Sequence, residues 1–309
     1  MKLGIRPVEV AGPYFDLAMK PGEHRVITVE LGNFGTETVT AASFDADAYT
    51  IINGGFAAKL RGEPTSGSTL WLDYPDQEIE LHPQQTIRRT VSISVPADAT
   101  PGQHLSALVI QNARVLKGSG SIAIDQFQRQ AIAVVITIPG ERRLALDFGK
   151  AKHKVANSRS VVQVELNNSG NFLLKPSGPW LLRDSKGIEV SKTTVEMDSF
   201  YAGTSTQVEV PLESLLKPGH YTVSVDLKDR ETGFKRSSGP LPFDVDAGSV
   251  SGTSPRTDGR QFVEVDQSSG SGIPWWAVAG GGVLLLLFLL VLLLLLVLLR
   301  RRKEEEQDR

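Results

Sequence analysis

Apolar and polar side chains alternate with a period of two in one short segment after another. Val26-Ile27-Thr28-Val29-Glu30-Leu31 is rich in β-branched residues and ends at Gly32-Asn33-Phe34-Gly35, a predicted turn. Arg88 to Val95 alternates cleanly and stops at Pro96; Ala131 to Ile138 is a longer apolar run stopped by Pro139-Gly140. Val161–Leu166, Gln207–Val210 and Tyr221–Val225 carry the same pattern. Strands this short, punctuated by Gly, Pro, Asn and Asp, predict β-sandwiches rather than βαβ units. No amphipathic helix of ten or more residues stands out, and Ser214-Leu215-Leu216 is at most one turn.

The pattern repeats along the chain. Val29-Glu30-Leu31-Gly32-Asn33-Phe34-Gly35 matches Val164-Glu165-Leu166-Asn167-Asn168-Ser169-Gly170, and Thr100-Pro101-Gly102-Gln103-His104 matches Lys217-Pro218-Gly219-His220-Tyr221 in the same order. Val-Glu-Leu sets Val and Leu on one face and Glu on the other. The following Asn and Gly tolerate a sharp turn, and Pro-Gly predicts a type II turn. The expected fold is all-β, with two tandem immunoglobulin-like sandwiches of one architecture; the cysteine and tryptophan framework of true immunoglobulin domains is read as absent. The first copy holds about 18 residues more between its motifs, an insertion around Tyr49 to Gln77.

The alternation ends after Val245. Gly, Ser, Thr, Pro, Asp and Gln dominate 246–272, a composition that buries too little apolar surface to order itself and reads as a flexible tether. Ala277 to Leu299 then carries no charged side chain, long enough for a helix to cross a hydrocarbon core of about 30 Å. Trp275 and Trp276 precede it at headgroup level, and Arg300, Arg301, Arg302 and Lys303 follow it, so the positive-inside rule places the tail in the cytoplasm. The expected divisions are 1–140, 141–245, a linker at 246–273, a transmembrane α-helix at 274–299 and a cytoplasmic tail at 300–309. No signal peptide is visible in Met1–Pro7, which predicts a removed leader or a start assigned too far downstream. A tail-anchored protein facing the cytosol is the alternative.

Composition narrows the chemistry. There is no cysteine, so the exported part is held by its core alone, which fits a bacterial cell surface. A formal net charge of -2 gives no electrostatic case for nucleic acid. His24, His82, His104, His153 and His220 show no metal-ligand spacing. Gly118-Ser119-Gly120-Ser121 lacks the strand–turn–helix context of a nucleophile elbow, and Gly32/Gly35 and Gly54-Gly55 open no helix that could hold a phosphate. Asp45 and Asp47 share a strand face, with Asp73 and Asp76 on a nearby loop; solvated strand and turn carboxylates explain them better than a glycosidase pair. No enzyme, cofactor or metal is expected.

Aromatic residues crowd the insertion. Tyr49, Trp71 and Tyr74 are the candidate ligand-binding rings, since flat rings stack on sugar faces and suit surface recognition. The competing explanation is that they plug the end of the sandwich core, although Tyr74-Pro75-Asp76 reads as an exposed turn.

A family resemblance rests on ordered short motifs. Pro13-Tyr14-Phe15-Asp16-Leu17, Lys20-Pro21-Gly22-Glu23 and Val29-Glu30-Leu31-Gly32-Asn33 are followed by Ile79-Glu80-Leu81-His82-Pro83, Val95-Pro96-Ala97-Asp98, Pro101-Gly102 and the run Ala131 to Gly140. This order, over roughly residues 4–140, resembles the first domain of WxL-interacting proteins. The resemblance implies a single-pass bacterial surface protein whose first domain binds peptidoglycan and whose second contacts a protein partner; the short second domain departs from the family. The expected function is a non-catalytic, membrane-anchored adaptor for peptidoglycan or wall-associated proteins, its ectodomain outside. The alternative is a protein-binding accessory sandwich of a surface enzyme or an export or assembly system.

Overall fold

A computed structural model describes residues 2–114 and 128–246 of the 309. The first part of the chain forms β1 (Leu3–Pro7), β2 (Phe15–Ala18), β3 (His24–Asn33), β4 (Val39–Thr50), β5 (Phe56–Ala58), a 3-10 turn at Gly67–Trp71, β6 (Leu72–Asp73), β7 (Gln77–Leu81), β8 (Thr86–Ser94), β9 (Gly102–Asn112) and β10 (Arg129–Ile138). The second forms β11 (Asp147–Ala156), β12 (Arg159–Asn167), β13 (Pro176–Asp184), β14 (Glu189–Glu196), β15 (Ser205–Pro211), β16 (Gly219–Asp229), β17 (Lys235–Ser237) and β18 (Leu241–Val245). The fold is all-β among the described residues.

The two parts share one strand order. One sheet runs β1-β3-β8-β6 and its counterpart β11-β12-β15; the facing sheet holds β10-β9-β4 with β7 on β4, and its counterpart holds β18-β16-β13-β14. The first part adds β2, β5 and β6, with β2 lying parallel to β10. The second adds β17 beside β16. Each sheet pair closes on its own core. In the first, Val29, Leu31, Ile93, Leu108, Ile110 and Ile136 interdigitate around Phe15 and Tyr74. In the second, Val162, Val164, Leu182, Val208 and Val223 surround Trp180 and Phe200. Strand alternation is what makes this possible: in β3, Val29 and Leu31 are buried while Glu30 faces outward between Arg6 and Arg88.

The repeated motif has one job in both copies. The buried Asn33 amide donates to Glu37 O (2.7 Å) and Leu81 O (3.0 Å), and its Oδ1 accepts from Gly35 N (2.9 Å). Asn168 donates to Phe172 O and Phe200 O (both 2.9 Å) and accepts from Gly170 N (3.1 Å). Each amide therefore satisfies backbone groups at a corner that the two sheets cannot pair themselves.

Two details correct the sequence reading. The type II turn forms at Lys20-Pro21-Gly22-Glu23, where Glu23 N bonds Lys20 O (3.0 Å) and Gly22 has φ 77°. At Pro101-Gly102 it does not, because Gly102 (φ 128°) already begins β9 and Gln103 N is drawn to Asn171 O (2.8 Å). A core tryptophan is also present: Trp180 in the middle of β13 is fully buried, opposite Val225. Among the described residues no helix is long and apolar enough to cross a membrane. The predicted span, with Trp275, Trp276, Arg300, Arg301, Arg302 and Lys303, lies outside the described residues, as do Gly118–Ser121 and all of the linker but Asp246.

Candidate functional site

The predicted insertion becomes a structural bridge. After β4 the chain turns at Ile51-Ile52-Asn53-Gly54-Gly55, returns as β5, and packs Ala58 on the outer face of β4 and β9 against Phe44, Ala46, Ala107 and Val109. The turn reaches the second sandwich. Asn53 N donates to Gln207 O (2.9 Å), and Asn53 Oδ1 accepts from Glu209 N (2.8 Å), both groups on the edge strand β15. Asp198 N bonds Asn53 O (3.1 Å), Gly55 N bonds Ser199 O (2.8 Å), Tyr201 N bonds Thr50 Oγ1 (3.0 Å), and the Thr50 and Thr204 hydroxyls meet at 2.6 Å. Gly54 is required here: with φ 90°, a Cβ on it would lie 2.6 Å from the Asp198 backbone.

A second contact forms at the Pro-Gly motif. Asn171 O accepts from Gln103 N, its amide donates to Pro101 O (3.0 Å) and Glu141 O (2.9 Å), and Gln103 Oε1 accepts from Leu173 N (2.7 Å). A Cβ on Gly102 would meet Asn171 O at 2.6 Å. Both contacts therefore combine backbone hydrogen bonds with side-chain ones from Asn53, Thr50, Gln103 and Asn171.

Between them opens a cleft of ≈ 480 Å³. Asp47, Tyr49 and Lys59 of the first sandwich line it with Ser66, Ser68 and His104; Asn171, Ala202, Thr204 and Ser205 come from the second. The Asp47 carboxylate is consumed within the wall. It accepts from Ser66 N (2.8 Å), Ser66 Oγ (2.6 Å) and Lys59 Nζ (3.0 Å). Burial pushes its pKa up, but the Ser66 hydroxyl and N–H, then Thr69 and Lys59, outweigh this and hold it at about 2. Two residues back on the same face, Asp45 moves the other way. Burial, and then the Asp47 and Asp76 charges, overcome its own backbone hydrogen bond and push it to about 6.

The three predicted rings separate. Tyr49 lines the cleft and is 39% exposed. Trp71 is half-buried, packed against the first core and tilted on His104 at 4.6 Å between ring centroids, so it supports a lining residue. Tyr74 is corrected from exposed turn to core: β6 pairs with β8 and draws it inward, where its hydroxyl meets Ser43 Oγ (2.5 Å) and the Arg89 guanidinium covers its ring at 4.1 Å. Asp76 is held by both nitrogens of an Arg61 fork (2.7 and 2.8 Å). The five histidines are scattered, each on a separate partner such as Ser94, Thr38 or Ser160, and no group of three potential ligands could hold a metal among the described residues.

Sequence reasoning missed Asn53, Lys59, His104 and Asn171. His104 closes one repeated motif and Asn171 directly follows another, and that position was their only signal.

No curated protein sequence matches the chain. Similar solved structures include the class 5 fimbriae chaperone CfaA (12% identity, 77% of this chain and 100% of that one, TM-score 0.33), the E. coli chaperone DraB (12%, 79% and 98%, 0.31) and the Pseudomonas aeruginosa CupB2 chaperone (13%, 72% and 94%, 0.31). A family described as WxL Interacting Protein, peptidoglycan binding domain, matches residues 8–112, from just after β1 to the end of β9. Over residues 8–112 the first sandwich is thus similar to the WxL Interacting Protein peptidoglycan binding domain family.

Proposed function

We propose that the chain is a non-catalytic cell-surface adaptor that holds peptidoglycan through its β-sandwich ectodomain and is anchored to the membrane by one C-terminal helix. The family match over residues 8–112 carries this reading. The cleft beside Tyr49 supports it physically, with one exposed aromatic ring among hydroxyl and amide groups. Residues 1–140 and 141–245 act as two tandem domains of one architecture. The run Ala277–Leu299, flanked by Trp275-Trp276 and Arg300-Arg301-Arg302-Lys303, supplies a single span with the ectodomain outside and the tail cytoplasmic.

The second reading, a module that binds only protein, draws on one observation. Strand β14 is a sheet edge hydrogen-bonded to β13 on one side, with Ile188 and Val190 exposed beside it. Such an edge can accept a partner strand.

Purified cell wall, native or stripped of protein, separates the two readings. Residues 1–253 should sediment with both preparations. Retention on native wall alone would move the function to the protein-binding module, and retention on neither would end both wall readings.

A further inference from the structure

We infer that strand β14 is a homodimer edge: it pairs antiparallel with β14 of a second copy of this chain, in the register that sets Lys192 of each copy opposite Glu196 of the other. This goes beyond the adaptor reading and does not depend on it, and it gives a definite occupant to the edge that a protein-binding module would use.

An unpaired strand edge offers its N–H and C=O groups to another chain unless it is short, charged, bulged, broken by proline or covered. Most edges among the described residues are guarded in one of these ways. Strands β2, β5, β6 and β17 hold only two to four residues. Strand β1 ends in Arg6-Pro7, β7 carries Glu78 and Glu80, and β18 contains Pro242. The Asn53 turn occupies the edge of β15. Strand β11 is bulged between Phe148 and Ala151 and carries Lys150, Lys152 and Lys154. Strand β14 differs from all of these. It has eight residues without proline, pairs with β13 in unbroken register from Ser191 to Glu196, and has no strand on its other side.

The backbone presents this edge in a fixed pattern. Met197 N bonds Pro176 O (2.9 Å), and hydrogen-bonded pairs alternate along an antiparallel ladder. Val195 and Thr193 therefore turn their N–H and C=O toward β13, while Lys192, Thr194 and Glu196 turn theirs outward. Val195 is buried in the second core, which places Lys192, Thr194 and Glu196 on the opposite face, all three exposed. Their side chains are unspent. Among the described residues Lys192 and Thr194 make no side-chain hydrogen bond or ion pair, and Glu196 meets only Arg230, at 4.0 Å. Arg230 itself is held by Lys175 O and Met197 O (3.2 and 2.8 Å). A two-fold axis perpendicular to the sheet keeps each face continuous and passes at the level of one residue. At Lys192 it would set two ammonium groups against each other; at Ser191 or Thr193 it would leave Lys192 opposite Val190 or Thr194. At Thr194 it sets Thr194 on Thr194, Thr193 on Val195 and Lys192 on Glu196, twice over. Opposite charges facing each other across an antiparallel pair stabilise it, and like charges oppose it. The order Lys192-Thr193-Thr194-Val195-Glu196 thus complements itself, which binding a foreign strand would not require.

A strand pair alone buries less than a standard interface of about 1,600 Å², so the contact exchanges and is best trapped covalently. The chain has no cysteine, so each introduced thiol is the only one. The test uses the full chain in detergent. The two copies of residue 194 would meet at about 5.5 Å between Cα atoms, within disulfide reach. On oxidation Thr194→Cys should therefore give a covalent dimer about tenfold faster than Glu80→Cys on β7. Lys192→Cys should cross-link to Glu196→Cys when the two are mixed, and neither should cross-link to itself. Lys192→Glu should weaken self-association in sedimentation by about fivefold, and the double variant Lys192→Glu/Glu196→Lys should restore it, with circular dichroism unchanged. If Thr194→Cys dimerises no faster than Glu80→Cys, or the double variant stays as weak as Lys192→Glu, the pairing is overturned and the edge is left to a foreign strand. Self-linking of Lys192→Cys overturns the register. Wall retention is read separately, so none of these results alters the adaptor reading.

Discussion

Asn33 and Asn168 show how much of this fold depends on single buried amides. Each makes three hydrogen bonds at a corner between the sheets, and alanine there leaves carbonyl groups of Leu81 or Phe200 without their donor. Asn33→Ala and Asn168→Ala should each cost about 2–4 kcal/mol, read as a shifted denaturation midpoint with an unchanged slope. Asp45 and Asp47 should respond to pH with opposite signs. Asp47, held at about 2, adds stability above its unfolded value near 3.8 that is lost as pH falls toward 2. Asp45, raised to about 6, favours the fold when protonated, and that contribution is lost as pH rises through 6. Asp47→Asn should therefore destabilise at pH 7, whereas Asp45→Asn should stabilise more at pH 7.5 than at pH 4.5, by up to about 1–2 kcal/mol after solvent screening; thermal melts at the two pH values read both. At this scale the sequence announced the asparagines, because they sit inside a repeated motif. It could not show that Tyr74 turns inward, since that depends on β6 finding β8 across the sheet.

At the scale of elements, alternation located β3, β8, β10, β12, β15 and β16 well. The strands that escaped were those where both faces are packed or where the composition is poor for strands. Strand β4 reads Val-Thr-Ala-Ala-Ser-Phe-Asp-Ala-Asp-Ala-Tyr-Thr, with small residues on the face that β5 covers, so no period of two is visible in it. Strand β13 holds Pro176 and Pro179, which argue against a central strand on sequence grounds. The insertion was legible as extra length but not as a bridge, because its partner groups on β15 are about 150 residues away in sequence. Gly54→Val tests the bridge. The side chain would collide with the Asp198 backbone and force a strained φ, so the Asn53 turn should release β15. Amide exchange at Glu209, whose N–H donates to Asn53 Oδ1, should accelerate while the cores around Leu108 and Trp180 stay protected; unchanged exchange at Glu209 would show that the turn carries no load there.

At the scale of the whole molecule, the proposed function is that of an adaptor between two layers, a wall-binding ectodomain joined to a membrane span. Replacing Leu289 and Leu293 with arginine should add about 5–7 kcal/mol to insertion, so the variant should leave the membrane fraction and appear in soluble extract. Retention through a carbonate wash would mean that this run is not the anchor. The central claim, that the ectodomain holds peptidoglycan in the cleft beside Tyr49, is tested most directly by a binding isotherm of residues 1–253 on protein-free peptidoglycan. The account predicts saturable retention that Tyr49→Ala weakens at least fivefold at unchanged stability. Retention that never saturates, or that Tyr49→Ala leaves untouched, would contradict it.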